Sequence, residues 1–325
     1  MNFNLELRSL AEKYLQKVRP SGPENIMAIC PFHTKGGAPE RRGSFAMNTL
    51  TGLWFCHACG ERGNLRSFLR NVGASPLLID TFYKPLLETL DNTSWKNRKK
   101  NRLFVNPREE PIPESVLGLF DYCPTGLLEE GFSEETLRHF DIGFDRKNAR
   151  ITYPLRDMLG RLVGFSGRAT DDHPAKYKIY SKEEYEAWEL PSKSTDKADL
   201  IWNIDKVYPK AYFTKEPEII MVEGFKSVMW LWQAGYYETI ALMGSYLSPR
   251  QKMILERIGG TVYLFFDNDK AGHKAYHWVS KSLASSLSVR IIRYEGHQPT
   301  DLTTAELHTA VNNAVDYYRW ILQGV

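Results

Sequence analysis

The sequence predicts a modular protein of combined α+β and α/β class, with a metal-binding ribbon near its N-terminus and a parallel sheet covered by helices farther along. Two cysteine-containing pairs lie within residues 30–59, and short apolar runs alternate with helical patterns after residue 215. The chain has 325 residues, 42% of them hydrophobic and 25% charged, which suits two or three compact cores of ordinary size.

Charge and hydropathy indicate neither a secreted protein nor a membrane protein. The net charge is only +3, so a nucleic-acid surface must come from local clusters of cations. One cluster is the run KNRKKNR at residues 96–102, which either neutralises phosphates or forms a solvated linker. The first 18 residues predict an amphipathic helix rather than a leader, and no run approaches the roughly 20 apolar residues that span a bilayer. We therefore expect a cytoplasmic protein with no membrane partner.

The chain contains no internal repeat, so its blocks are identified from the spacing of motifs and from polar, proline-containing stretches. Residues 1–90 hold the metal-ligand pairs and flanking helices. Residues 91–113 are polar, basic and proline-bearing, which predicts a linker. The remainder is divided into 114–215, 216–302 and a helical C-terminal segment at 303–325.

The N-terminal block contains two pairs of zinc-ligand residues. The motifs CPFH at residues 30–33 and CHAC at 56–59 are separated by twenty-two residues, which lets two turns hold one tetrahedral ion. The intervening residues predict strand, turn and strand, a ribbon that brings the pairs together. We predict one structural Zn²⁺ on Cys30, His33, Cys56 and Cys59.

Other interpretations of these residues remain open. The cysteines and His33 are alternatively ordinary core residues, and a lone zinc ribbon is also found as a structural or protein-binding module. His57 is an alternative ligand to His33, but it lies between two ligand cysteines and is better placed to contact nucleic acid. Cys123 stands alone and is predicted to be a plain structural thiol.

The second half of the chain predicts a hairpin followed by a parallel sheet. ARITYPL and RLVGFSGR flank a turn-like RDMLG. Beyond residue 216, strand-like and helical stretches alternate in β-α-β-α-β order, which is typical of parallel strands whose carboxyl ends share one edge. Glu223 follows the first of these strands, and Asp267 and Asp269 follow the third.

Acidic groups gathered at one sheet edge repel one another unless a cation joins them. Mg²⁺ held by a few carboxylates and completed by phosphates supports in-line phosphoryl transfer. We therefore predict a catalytic Mg²⁺ or Mn²⁺ site at Glu223, Asp267 and Asp269. The competing interpretation is that an acid here only caps the helix predicted to begin near Lys270.

These motifs resemble those of the DnaG-type primases of bacteria and phages. CPFH, SF and WFCHACGERGNLRSFL are similar to the zinc ribbon of that family, and Asn64 is placed to cap the helix that follows it. The pattern E-G, M-G-S and D-x-D-x-A-G resembles a Toprim domain, at residues 216–302. The preceding block at 114–215 resembles the N-terminal basic subdomain of the primase RNA-polymerase core.

The resemblance implies a DNA primase that synthesises short RNA primers from ribonucleoside triphosphates on single-stranded DNA by metal-dependent nucleotidyl transfer. It further implies that Arg168, Lys176 and Lys197 bind template phosphate or incoming nucleotide. The ribbon would help to choose the start site, with cations and aromatic residues on its DNA face: Lys35, Arg41, Arg42, Phe45 and Trp54.

The chain departs from the family pattern at two positions. Ser227 stands where a further acid is usual, and Gln298 stands at the head of a segment in which only Asp301 remains as a candidate metal ligand. No G-x-x-x-x-G-K-[ST] loop is found, so a replicative helicase would be a separate partner. Two other functions stay open: a single-strand-binding or regulatory protein with weak polymerase activity, and a Toprim nuclease.

Overall fold

We analysed a computed structural model of the chain. The structure describes residues 3–33, 43–49, 51–75, 78, 111–171, 175–190 and 195–322. The basic run at 96–102 and most of the predicted linker therefore lie outside the described residues. In the described ranges, no helix combines the length and the apolar character needed to cross a bilayer.

The N-terminal part is a helix followed by a five-stranded antiparallel ribbon and a second helix. Ribbon strands pair with their neighbours in sequence order. Asn64 begins the second helix, as predicted, because its side chain accepts a hydrogen bond from the backbone N–H of Ser67. The elements are α1 Phe3–Tyr14, β1 Arg19–Pro20, β2 Asn25–Ala28, β3 Phe45–Asn48, β4 Trp54–Cys56, β5 Arg62–Gly63 and α2 Leu65–Asn71.

A four-stranded antiparallel sheet forms the middle part, and its centre is the predicted hairpin of β7 and β8. Asp157 organises the hairpin turn, since its carboxylate accepts hydrogen bonds from the backbone N–H groups of Leu159 and Arg161. The elements are a 3-10 helix Glu114–Phe120, α3 Thr125–Glu129, α4 Glu134–His139, β6 Gly143–Asp145, β7 Arg150–Arg156, β8 Leu162–Ala169, β9 Tyr177–Ile179 and α5 Lys182–Ala187.

The parallel sheet expected in the second half is present, which confirms the predicted combination of ribbon and α/β folds. Its strand order is β11-β10-β12-β13-β14, with β10 to β13 parallel and β14 antiparallel. The elements are a 3-10 helix Lys197–Asp199, α6 Ile204–Phe213, β10 Glu218–Val222, α7 Phe225–Gln233, β11 Thr239–Ala241, α8 Pro249–Ile258, β12 Thr261–Leu264, α9 Lys270–Leu283 and β13 Ser288–Ile291.

The C-terminal segment differs from the single helical stretch predicted for it. After a 3-10 turn at Pro299–Asp301 it forms α10 Thr304–Asn312, β14 Val315–Asp316 and α11 Tyr317–Leu322. The helix ends at two consecutive asparagines, which are weak helix formers. Val315 and Asp316 then pair with β13, so the segment adds an edge strand to the parallel sheet.

The ribbon packs directly on the rest of the molecule. Asn64 is buried and donates from Nδ2 to the carbonyl oxygen of Asp205, 3.4 Å away. The tip of the β7–β8 hairpin lies against the same side chain, at Gly160, where an added Cβ would stand 2.0 Å from Asn64 Nδ2. Ribbon residues such as Leu65 and core residues such as Met158 belong to one continuous apolar cluster.

Five charged side chains cross this interface, and we call them the interface ion cluster: Arg66, Arg70, Glu114, Asp141 and Arg156. Arg66 and Arg70 come from α2 of the ribbon, and their nearest ion pairs are 2.7 Å to Glu114 and 2.6 Å to Asp141. Arg156 reaches the same two acids at 2.7 and 3.1 Å. Burial alone would raise the pKa of Asp141, but the surrounding guanidinium groups hold it well below its usual value.

Residues at the end of the predicted linker also pack in the core. Ile112 is 5% exposed, and its backbone N–H donates to the carbonyl oxygen of Leu162. The end of the predicted linker is therefore part of the core.

Candidate active site and metal centre

The structure brings the four predicted zinc ligands together. One donor atom from each of Cys30, His33, Cys56 and Cys59 lies within 4.8 Å of the others, and in the described part of the chain this is the single such group of three or more. The ligands come from the loop after β2 and from the end of β4, because antiparallel pairing of β2, β3 and β4 aligns those ends. Three thiol groups and one imidazole suit a closed, four-coordinate zinc site.

The environment of the cysteines favours a bound cation. Burial raises the pKa of the Cys30 thiol. Burial also acts to raise the pKa of Cys56, but hydrogen bonds from the Ser44 hydroxyl and from backbone N–H groups lower it below its ordinary value. Ser44 Oγ lies 3.1 Å from Cys56 Sγ. Zinc would displace the protons of the other two thiol groups, Cys30 and Cys59, and bind beside the stabilised Cys56 thiolate.

The expected DNA face of the ribbon is corrected in two positions. Phe45 and Trp54 are fully buried, where they stack on each other with ring centroids 5.2 Å apart, so neither can stack on a base. Both occur in short strands without the alternation that would have revealed which side faces the core. Lys35, Arg41 and Arg42 lie outside the described residues. His57 is exposed, as a nucleic-acid contact would need to be, and Cys123 is exposed as well.

Glu223 and Asp267 meet at the carboxyl ends of two adjacent parallel strands. Glu223 follows β10 and Asp267 follows β12, on either side of the point where the chain connections diverge toward opposite sheet edges. The Glu223 carboxylate accepts a hydrogen bond from the backbone N–H of Asp267 at 3.2 Å. Burial first, and then the neighbouring acids, raise the pKa of Glu223 to about 7 and that of Asp267 to about 6.

This close approach of the acids depends on small and rigid neighbours. At Gly272, in the first turn of α9, an added Cβ would stand 1.9 Å from the Asp267 carbonyl oxygen and 2.9 Å from Glu223 Oε1. The hydroxyl groups of Tyr276 and Tyr294 each donate to the Phe266 carbonyl oxygen at 3.1 Å, which fixes the end of the strand. The two acids are therefore held by the backbone and not by each other.

Asp269 and Asp301 make different contacts. Asp269 caps α9, because it accepts hydrogen bonds from the backbone N–H groups of Ala271 and Gly272 at 2.8 Å. This is the helix cap that the sequence offered as the alternative to a metal ligand. Asp301 accepts from the N–H groups of His297 and Gln298, at 2.9 and 3.0 Å, and these bonds outweigh burial and lower its pKa. Both acids lie outside the lining of the cavity beside Glu223.

A cavity of about 470 Å³ opens beside the two raised-pKa acids. Arg168 and Lys176 line it from the four-stranded sheet, and Lys197 lines it from the 3-10 helix before α6. All three predicted cations thus line the same cavity as Glu223 and Asp267. Ser227 and Gln298, the two positions that depart from the family pattern, line the same cavity.

Two further cations of the cavity were not singled out from the sequence. Lys178 pairs with Glu184, and Lys226 pairs with Glu130. One sequence signal could have identified Lys226: it is a cation in the first turn of a helix, where the positive end of the helix dipole disfavours it. No sequence signal could have identified Glu130, because it lies 96 residues from its partner Lys226.

Two known families match separate parts of the chain. Residues 1–78 match the CHC2 zinc finger family, and residues 217–293 match the Toprim domain family. The chain is 26% identical to a DNA primase of Deinococcus radiodurans, with 80% of this chain and 49% of that protein covered. It is 28% identical to a DNA primase of Helicobacter pylori, with 82% and 52% covered. The chain spans about half the length of these relatives.

Solved structures show the same fold. The zinc-binding and RNA polymerase domains of the Aquifex aeolicus primase match with a TM-score of 0.57 at 20% identity, covering 99% of this chain and 88% of that one. A DNA primase domain from Pseudomonas aeruginosa matches with a TM-score of 0.54 at 22% identity, covering 65% and 80%.

Proposed function

We propose that this chain, which matches the CHC2 zinc finger and Toprim domain families, is a primase of the DnaG type that synthesises short RNA primers on single-stranded DNA. The observation that supports this most is the cavity lined both by two acids of raised pKa and by several cations. Carboxylates and cations in one cavity suit a nucleoside triphosphate with its metal ion.

Glu223 and Asp267 fit a divalent cation because both are oxygen donors that burial and mutual repulsion disfavour as free anions. We propose that they hold Mg²⁺ or Mn²⁺, which would supply charge stabilisation at the transferring phosphate. Asp269 and Asp301 are proposed as outer members of this acidic edge, and each would have to share its carboxylate with the backbone groups that it caps.

The protein's own groups would align the reactants. Arg168, Lys176 and Lys197 are proposed to hold phosphate groups of the nucleotide or template, so that a 3′-hydroxyl can attack the α-phosphate with pyrophosphate leaving. The seated ribbon would present the template at a fixed distance from this cavity. One structure of similar fold is of a DnaG primase catalytic domain bound to single-stranded DNA, which supports that choice of template. A separate replicative helicase is the proposed partner.

Primer synthesis by the purified chain tests the proposal. Single-stranded DNA, labelled ribonucleotides and Mg²⁺ or Mn²⁺ should yield short RNA, and Asp267→Asn should abolish it while template binding survives. Asp269→Ser is the sharper variant, because serine retains the helix cap but removes the carboxylate. If varied templates give no primers, the proposal fails. Tight template binding alone would then favour a regulatory protein, and metal-dependent nicking of DNA would favour a nuclease.

A further inference from the structure

Lys226 occupies the cavity wall in a way that local structure does not explain. It lies in the first turn of α7, where the helix dipole disfavours a cation, and its side chain is only 20% exposed. Burial lowers its pKa. Its ammonium group pairs with Glu130 and lies 5.7 Å from the centre of the Phe132 ring. A buried cation in this position needs a compensating anion.

Glu130 lies near two cations of the same cavity, Lys226 and Arg168. Its other carboxylate oxygen lies 4.0 Å from a guanidinium nitrogen of Arg168, and Arg168 Nε is buried without a hydrogen-bond partner among the described residues. One carboxylate thus lies near two positive groups. Glu130 itself lies outside the cavity lining, so a ligand would meet the cations and not the acid.

Resting on the proposed function, we propose that Lys226 and Arg168 form a polyphosphate subsite, with Glu130 as the positioning residue that holds both cations toward the cavity. The cavity volume of about 470 Å³ suits one nucleotide better than a continuous strand. Phosphate oxygens would pair with the guanidinium group of Arg168 and share the ammonium group of Lys226 with Glu130. The incoming triphosphate is therefore the ligand that we assign to this wall.

Binding of inorganic tripolyphosphate, measured by calorimetry on the full chain without nucleotides, tests the subsite independently of synthesis. Lys226→Met should weaken binding about ten-fold, and Lys226→Arg should recover most of it. Glu130→Gln should act in the opposite direction and tighten binding about two- to five-fold, since it frees both cations. The same Glu130 variant should lower kcat for primer synthesis, because the cations lose their fixed positions.

Lys182→Met is the matched control, since Lys182 is exposed outside the cavity and should leave tripolyphosphate binding unchanged. Equal tripolyphosphate affinities for the wild type and folded Lys226→Met would overturn the subsite, even if primers are made. Loss of affinity in that variant would support it, even if the wild type makes no primer and the proposed function fails. Weaker binding by Glu130→Gln would mean that Glu130 only supports the local fold.

Discussion

The zinc centre and the acidic sheet edge are both built from groups that repel one another when ionised, yet they are assembled in opposite ways. The four zinc ligands lie within 30 residues of one another and converge on a single point. The acids Glu223, Asp267, Asp269 and Asp301 come from three connections of the sheet, and three of them accept hydrogen bonds from backbone N–H groups. One site is closed around its ion, and the other is open toward a cavity.

The difference shows which part of each site the sequence determines. A ribbon can place ligands by local spacing alone, so the zinc site needs only its two turns and the metal. The acidic edge depends on the strand order of the whole parallel sheet and on Gly272, which lets α9 approach. We therefore expect substitutions at the zinc centre to affect folding, and substitutions at the acidic edge to affect chemistry with small effects on stability.

The largest effect should follow from Cys56→Ser. Structural zinc in small domains contributes about 10–16 kcal/mol of apparent binding free energy, so loss of one ligand should release the metal and unfold the ribbon. Metal analysis and the fluorescence of the buried Trp54 should report both events. Stoichiometric zinc in the purified variant would contradict the assignment of this ligand set.

The interface ion cluster should contribute the next largest effect. Asp141→Asn leaves the arginines of the cluster without one of their acids, and breaking a buried ion pair typically costs about 3–5 kcal/mol. The lowered pKa of Asp141 means that its stabilisation is complete above about pH 4 and is lost as pH falls toward its folded-state value. The difference in unfolding free energy between wild type and variant should therefore shrink in acid. A difference independent of pH would contradict this account.

A smaller effect is expected at the hairpin tip. Gly160 has a φ of 82°, and Gly160→Ala would also bring Cβ against Asn64, which together should cost about 1–3 kcal/mol. Gly73→Ala is the matched control, because its φ is 78° but the space around it is open. Thermal unfolding should show a greater loss for Gly160→Ala. Equal losses would mean that backbone strain alone accounts for both.

The smallest effect should be on the stability of the acidic edge. Asp269→Ala removes the cap of α9 and should cost about 0.5–2 kcal/mol, whereas Asp269→Ser should cost little because its hydroxyl group caps as well. Melting temperatures of the two variants measure this directly. Similar destabilisation by both would show that the charge of Asp269, and not its hydrogen bonds, stabilises the helix.

Local patterns predicted the zinc ligands, the Asn64 cap, the β7–β8 hairpin and the alternation of strands and helices that forms the parallel sheet. Each depends on residues close in sequence or on alternation that repeats. The predicted DNA-facing aromatic residues, Phe45 and Trp54, were wrong because both are buried in the core, within strands that are apolar at almost every position. A strand of that kind carries no period-two signal from which to identify the exposed side.

Contacts between distant segments could not be predicted. Arg66 and Asp141 are 75 residues apart, and nothing in either local sequence indicates a partner. The same holds for Lys226 and Glu130. The sequence also could not show that Asp269 accepts hydrogen bonds from α9, since a metal ligand and a helix cap require the same residue type after a strand.

The shared apolar cluster has a consequence for synthesis of the chain on the ribosome. Leu69 of the ribbon and Ile204 of the core belong to one cluster, but 135 residues separate them in sequence (204 − 69). At a synthesis rate of about 5–20 residues per second, the core residues of this cluster are made roughly 7–27 seconds after those of the ribbon. During that interval its apolar face would be exposed, and zinc bound at the four ligands would stabilise the ribbon until the core covers it.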